Sequence, residues 1–147
     1  MSEERENVEK MRVEFDSHSC NESFARVVVA AFMARMNPTI EEIEDVKTAV
    51  SEAVTNAVIH GYGEKEGVVE IRTEVAGKNL RVSVHDDGVG ITDVKQAMVP
   101  LYTSASERSG MGFSFMEAFM DELEVLSKVG EGTTVIMKKT LGRRPYE

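Results

Sequence analysis

Cysteine is almost absent from this chain of 147 residues: Cys20 is the one thiol. A single thiol closes no disulfide within the chain and builds no metal cluster, so an ordinary packed core must hold the fold. Long apolar runs are absent as well. The longest, Val27 to Ala34, is flanked by Arg26 and Arg35 and falls far short of the ~20 residues that cross a bilayer. Met1 to Lys10 is acidic and polar, without the apolar stretch of a secretion signal, so a cytoplasmic protein with no membrane partner is expected. Cations are scarce beside anions, 17 Lys and Arg against 26 Asp and Glu, for a formal net charge of −9. That balance repels nucleic acid phosphates and argues against direct DNA or RNA binding, while leaving basic protein partners open. Two catalytic signatures are also missing. No Gly-x-x-x-x-Gly-Lys-Ser/Thr phosphate loop occurs, and neither His-Arg-Asp nor Asp-Phe-Gly of the eukaryotic-type protein kinases.

What is present suits one globular domain over residues 1–147, with 41% apolar and 29% charged residues and no internal repeat or low-complexity linker. Met11, Val13 and Phe15 alternate with polar residues and predict a strand to Asp16. Asn21 is placed to cap a helix to about Met36, with Phe24, Val27, Val28, Ala31 and Phe32 at helical spacing. Asn37-Pro38 breaks it. Thr39 with Glu42 reads as a capping box opening a second helix, about Ile40 to His60, whose buried face is Ile43, Val46, Val50, Ala53 and Ala57. Gly61 is placed to end it. Val69 to Val75 and Leu80 to His85 read as strands around a turn at Gly77-Lys78-Asn79. Thr92 or Asp93 caps a short helix through Met98, Leu101 to Ser109 lacks apolar periodicity, and Gly110 to Met120 reads as a helix entered through glycines. Leu123 to Ser127 and Thr133 to Lys139 form the last strand pair, with Gly130-Glu131-Gly132 as the turn. The expected class is α+β, helices layered on one mixed or antiparallel sheet.

Three segments carry chemistry. Glu52, Asn56 and His60 lie four apart, so each step drifts about 40° around a helix and the three make one stripe. A carboxylate can accept a proton there, and an Asn oxygen can serve Mg²⁺, which takes its remaining ligands from water and phosphate. On spacing alone a solvated polar face, with His60 at the negative helix end, is the commoner meaning of such a stripe. Asp86-Asp87-Gly88-Val89-Gly90 follows a strand; its glycines permit close approach to the backbone, and an Asp at a strand end can accept from an exocyclic amine such as that of adenine. A plain Asp-Gly turn is the alternative. Arg108-Ser109-Gly110-Met111-Gly112-Phe113 opens a helix, where exposed N–H groups, the helix dipole and Arg108 favour phosphate. Two glycines in a first turn cost ~1 kcal/mol each relative to Ala, which suggests a reason beyond capping.

In this order the segments resemble the nucleotide-binding motifs of the GHKL superfamily, which includes gyrase, histidine kinases and MutL. Glu52 to His60 matches the N-box, Asp86 to Gly90 the Asp-x-Gly-x-Gly box, Gly110-Met111-Gly112 the second glycine box and Gly132-Thr133-Thr134 the last. Asn21 to Arg26, Ser51 to Gly61 and Glu107 to Phe113 resemble more closely the anti-sigma-factor serine kinases of spore-forming bacteria, and the likeness spans about residues 11 to 140. It implies a Bergerat ATP-binding sandwich. Glu52 would be the catalytic base and Asn56 the Mg²⁺ ligand, and the N-box would bring His60 to the nucleotide. Asp86 would bind the adenine amine, with Gly88 and Gly90 beside it and Thr134 nearby. Arg108, Ser109, Gly110, Met111 and Gly112 would surround the phosphates of ATP or ADP, and Pro100 to Ser109 would form a lid. It also implies a homodimer that sequesters a sporulation sigma factor and phosphorylates a serine of an anti-anti-sigma protein, with Arg26 as a partner contact. A histidine kinase would need a phosphoacceptor helix pair, for which this chain has no room. A binder without transferase activity and a non-signalling ATPase are the remaining alternatives.

Overall fold

The computed structural model describes residues 8–63, 65–98 and 109–142, with only the backbone course given for residues 109–111. Five strands, β1 (Val8–Asp16), β2 (Val68–Ala76), β3 (Asn79–Asp86), β4 (Glu122–Lys128) and β5 (Gly132–Thr140), form one sheet in the order β1-β2-β3-β5-β4. Every pairing is antiparallel. Among the described residues four α-helices accompany it: α1 (Asn21–Met33), α2 (Ile40–Asn56), α3 (Val94–Ala97) and α4 (Ser109–Phe119). The expected α+β layering is present, and the choice between a mixed and an antiparallel sheet resolves to antiparallel.

Period-two alternation explains the sheet. Val69, Ile71, Thr73 and Val75 of β2 are buried against the helices, while Glu70, Arg72 and Glu74 point the other way. On that outer face Glu70 accepts from both Arg12 and Arg72. Such exposed pairs contribute little to stability, and the core is what holds the layers together. Val46, Val50 and Val54 of α2 pack with Val29 and Met33 of α1, with Met116 of α4, and with Ile71, Val82 and Met137 of the sheet. The β2–β3 hairpin is tighter than expected. Asn79 already pairs with Ala76, so the turn is Gly77-Lys78 alone, with Gly77 at φ +62°.

α2 starts as its sequence says. Thr39 accepts from the Glu42 N–H at 3.1 Å, and Glu42 accepts from the Thr39 N–H at 2.8 Å. Asn21 departs from expectation. Cys20 occupies the N-cap position in a helical conformation, without a side-chain cap. The Asn21 amide instead donates to the Asp16 carbonyl at 2.8 Å and ties the start of α1 to the end of β1. α1 ends in a 3-10 turn, Ala34–Met36, stopped by Asn37 in the left-handed region at φ 54°. α2 does not run on to His60 as a plain α-helix: it passes into a π-turn over Ala57–Gly61, closed by the Tyr62 N–H donating to the Ala57 carbonyl at 3.0 Å.

Candidate nucleotide site

The end of α2, its π-turn, the end of β3 and the first turns of α4 enclose a cavity of about 410 Å³. That volume lies in the range that holds small molecules. Val84, Asp86, Thr133 and Val135 of β3 and β5 line it from the sheet. Ala53, Asn56, Ala57, His60 and Gly61 line it from the helix. Ile91, Asp93, Gln96 and Ala97 form its far side, and Phe113 of α4 closes one end. Asp93 caps α3 there, its Oδ1 accepting from the Gln96 N–H at 3.1 Å, which settles the cap between the two expected residues.

Asp86 is the chemical focus. It is only 4% exposed, and burial pushes its carboxyl above the ordinary range, while backbone N–H groups of Gly88 and Thr133 and the nearby His85 pull it back. Gly88 N–H donates to Asp86 Oδ1 at 2.9 Å. The chain comes this close because the neighbouring positions lack side chains. A Cβ on Gly61 would stand 2.6 Å from Asp86 Oδ1, and one on Gly88 would stand 1.9 Å from the Gly61 carbonyl oxygen. That carbonyl accepts from the Val89 N–H at 2.9 Å. A buried carboxylate facing a cavity from a strand end is suited to reading a donor such as an exocyclic amine.

Asn56 projects into the same cavity. Its Nδ2 is buried and has no hydrogen-bond partner among the described residues. Gly112 of α4 lies directly against it: a Cβ there would sit 3.1 Å from Nδ2 and 3.3 Å from Oδ1. An orphaned buried carboxamide next to a helix start is incomplete by itself. The unpaired Nδ2 is a donor and fits an acceptor, such as a phosphate oxygen, reaching it between α2 and α4. Among the described residues no group of three His, Cys, Asp or Glu could hold a metal by itself. A Mg²⁺ ion that takes one carboxamide oxygen and completes its shell with water and phosphate needs no such group.

The other expected site residues distribute as follows. His60 and Gly90 line the cavity with Asn56 and Asp86. Glu52 is half-buried one turn earlier on α2 and does not line it. Gly88 stands behind Asp86, against Gly61, rather than on the cavity wall. Gly110 lies in the first turn of α4 with Ser109 and Met111, and Arg108 and residues 100–108 of the expected lid lie outside the described residues. Thr134 is displaced from the place expected for it. Strand alternation turns it to the opposite face of the sheet, where its Oγ1 is 2.7 Å from His85 Nδ1, and Thr133 lines the cavity instead. Arg26 sits on the outer side of α1, paired with Glu22. Neither Tyr62 nor the role of Gly61 beside the carboxylate shows in the sequence, whereas the inward direction of Thr133 does, since it shares the strand parity of the buried Val135 and Met137.

Residues 18–139 match the family of histidine kinase-like ATPase domains. The anti-sigma F factor of Clostridium novyi (strain NT) is 63% identical over 135 residues, covering 90% of this chain and 94% of that protein. The chain belongs to the anti-sigma F factor family. A further member, from Thermoanaerobacter sp. (strain X514), is 55% identical over 134 residues, with 90% and 94% covered. Among solved structures, the RsbU and RsbW domains of a Mycobacterium tuberculosis protein superpose with a TM-score of 0.69 at 24% identity. That match covers 92% of this chain and 33% of the longer one. The catalytic domain of histidine kinase ThkA gives 0.56 at 18% identity, covering 89% and 96%. These two likenesses establish the fold alone, helices layered on one antiparallel sheet. The family resemblance read from the four sequence boxes therefore stands. Among the described residues no helix is long and apolar enough to cross a membrane.

Proposed function

We propose that this chain binds Mg-ATP in the cavity beneath α2, sequesters a sporulation sigma factor, and transfers the γ-phosphoryl group to a serine of an anti-anti-sigma protein. The observation that carries the reading is the pairing of a buried strand-end carboxylate, Asp86, with Asn56, whose buried amide nitrogen has no partner among the described residues, across one cavity. Asp86 accepts from the adenine amine and fixes the base. Asn56 offers its oxygen to Mg²⁺. When bound, ATP would supply the transferable phosphoryl group and Mg²⁺ would offset the charge of its phosphates. Glu52 takes the proton of the attacking serine hydroxyl, and the backbone N–H groups at the start of α4, with Arg108, Ser109 and Met111, hold the phosphates. The relatives' name supports the sigma-factor role, and a sigma factor as partner implies the cytoplasm.

A homodimer is part of this reading. β1 is an edge strand, and beside it α1 leaves Phe24 and Val27 47% and 63% exposed, with Phe24 packed edge-on against Phe15 of β1. An open strand edge with an apolar helix face next to it is a surface that association would cover. Arg26 lies on the same helix and is offered as a partner contact.

The test is transfer of label from γ-labelled ATP, with Mg²⁺ and the cognate anti-anti-sigma protein. Serine-linked label on the partner is expected. Glu52→Gln should abolish it and leave ATP affinity within about twofold, because the base is not a binding group. Full transfer by Glu52→Gln would remove Glu52 from the mechanism. One observation favours a second reading, nucleotide binding without transfer: Glu52 stands outside the cavity lining. Tight ATP binding with no label on the partner would select it.

A further inference from the structure

Asp86 ends β3, paired with Val69 on one side and Thr133 on the other, and the peptide that follows it is held by a residue outside the four boxes. Tyr62 follows Gly61 directly. Its N–H closes the π-turn by donating to Ala57. Its hydroxyl accepts from the Asp87 N–H at 2.7 Å and donates to the Val68 carbonyl at 2.6 Å. Its ring lies on Gly67, where a Cβ would stand 2.3 Å from Tyr62 Cε1. The residue thus joins three segments: the end of the helical stripe, the start of β2, and the peptide linking Asp86 to Asp87.

That peptide sets the direction of the Asp86 side chain. On its far side the loop is held by Val89 N–H on the Gly61 carbonyl and by Gly88 N–H on Asp86 Oδ1. On its near side the Tyr62 hydroxyl is the side-chain contact to Asp87 N–H. The geometry points to Tyr62 as a positioning residue for base selection: its hydroxyl holds the Asp86–Asp87 peptide so that the Asp86 carboxylate meets an exocyclic amine. The inference rests on the reading of Asp86 as the base-binding group. Tyr62 itself does not line the cavity, so its effect on the ligand passes through Asp86.

The measurement is the ratio of affinities for ATP and for purine riboside triphosphate, which lacks the 6-amino group, in wild type, Tyr62→Phe, Gly67→Ala and Asp86→Ala. Phe keeps the ring on Gly67 and removes only the hydroxyl; Gly67→Ala keeps the hydroxyl and forces the ring away. Both should lower the preference for ATP by about tenfold (~1.4 kcal/mol), mainly by weakening ATP, with binding of the analogue little changed. Thermal melting verifies that each variant is folded, and a purely structural role would weaken both ligands alike. Asp86→Ala should abolish the preference. If it does while Tyr62→Phe and Gly67→Ala keep the wild-type ratio, Tyr62 has no positioning role. If Asp86→Ala keeps the wild-type preference, the base-binding assignment of Asp86 fails first and takes the role of Tyr62 with it.

Discussion

Replacing Gly61 by Ala separates stability from ligand recognition at a single atom. Gly61 is in the π-turn with an ordinary negative φ, so the backbone accepts Ala, and helix propensity alone would favour it by ~1 kcal/mol. The added Cβ would stand 2.6 Å from Asp86 Oδ1, 2.7 Å from Cγ and 2.9 Å from Oδ2. No carboxylate tolerates three such contacts, so Asp86 must swing away. It then loses the hydrogen bond from Gly88 N–H, a charged-acceptor bond of about 1.5–3 kcal/mol. Moving a buried carboxylate toward water returns part of that. The net change in folding stability is a loss of roughly 0–2 kcal/mol, a fall in Tm of no more than about 8 °C. Recognition has no such compensation. Losing the hydrogen bond from the adenine amine to a carboxylate should weaken ATP about ten- to a hundredfold. Titration calorimetry with Mg-ATP, beside a thermal melt of the apo protein, reads both quantities. Wild-type ATP affinity in a folded Gly61→Ala protein would refute the argument, since it would mean that the carboxylate is not what holds the base.

Two further outcomes follow from the same structure. Burial raises the Asp86 pKa, so between the ordinary carboxylate value and that raised value the folded protein holds more protons than the unfolded chain; stability therefore falls as pH rises through this window and stays lower above it. Asp86→Asn should remove that dependence and leave the apo protein at least as stable as wild type at neutral pH while weakening ATP. Urea unfolding at several pH values checks it, and a wild-type minus variant difference that does not change with pH would contradict the burial argument. Thr73 is fully buried on the helix-facing side of β2, and its hydroxyl has no partner among the described residues. Thr73→Val should therefore stabilise the fold by about 1 kcal/mol, seen as a higher urea midpoint at unchanged slope, whereas a clear loss would show that the hydroxyl is satisfied.

The parts of the fold that were legible in the sequence are those decided within a few residues. Thr39 and Glu42 satisfy each other across one helical turn, so the start of α2 needs no tertiary information. The strands of the sheet announce themselves by alternation. Asn21 misled because an amide next to a helix start has two uses, and here the nearby Asp16 carbonyl takes it. The π-turn left no local pattern. It inserts a residue so that Gly61 can face Asp86 and give its carbonyl to Val89, a demand made by the distant β3 loop. Thr133 and Thr134 are both plausible neighbours of a ligand until the register fixes which one faces the helices. Thr133 opposite Asp86 and Thr134 opposite His85 decide it. The four boxes, by contrast, were legible because their residue types and order carry the resemblance without any register.

The glycines of those boxes do not all do the same thing. Read from sequence alone, Gly88 and Gly90 invite a ligand toward the backbone. In the fold, three glycines from three segments let the chain close around one carboxylate, two of them by letting backbone approach backbone. Gly61 admits the Asp86 side chain, Gly88 admits the Gly61 carbonyl, and a Cβ on Gly132, at φ +91°, would stand 2.0 Å from the Asp86 carbonyl oxygen. Gly112 lies instead against a side-chain tip, the Asn56 carboxamide, where a Cβ would stand 3.1 Å from Nδ2 and 3.3 Å from Oδ1. Substitutions in the two groups should therefore fail differently. Ala at Gly88 or Gly132 must push main-chain segments apart and should lower thermal stability together with affinity. Ala at Gly112 meets only the tip of a side chain and gains helix propensity of ~1 kcal/mol, so it should raise or hold Tm while weakening Mg-dependent nucleotide binding. A common loss of stability in both groups would mean that the glycine around Asn56 is a packing spacer like the others.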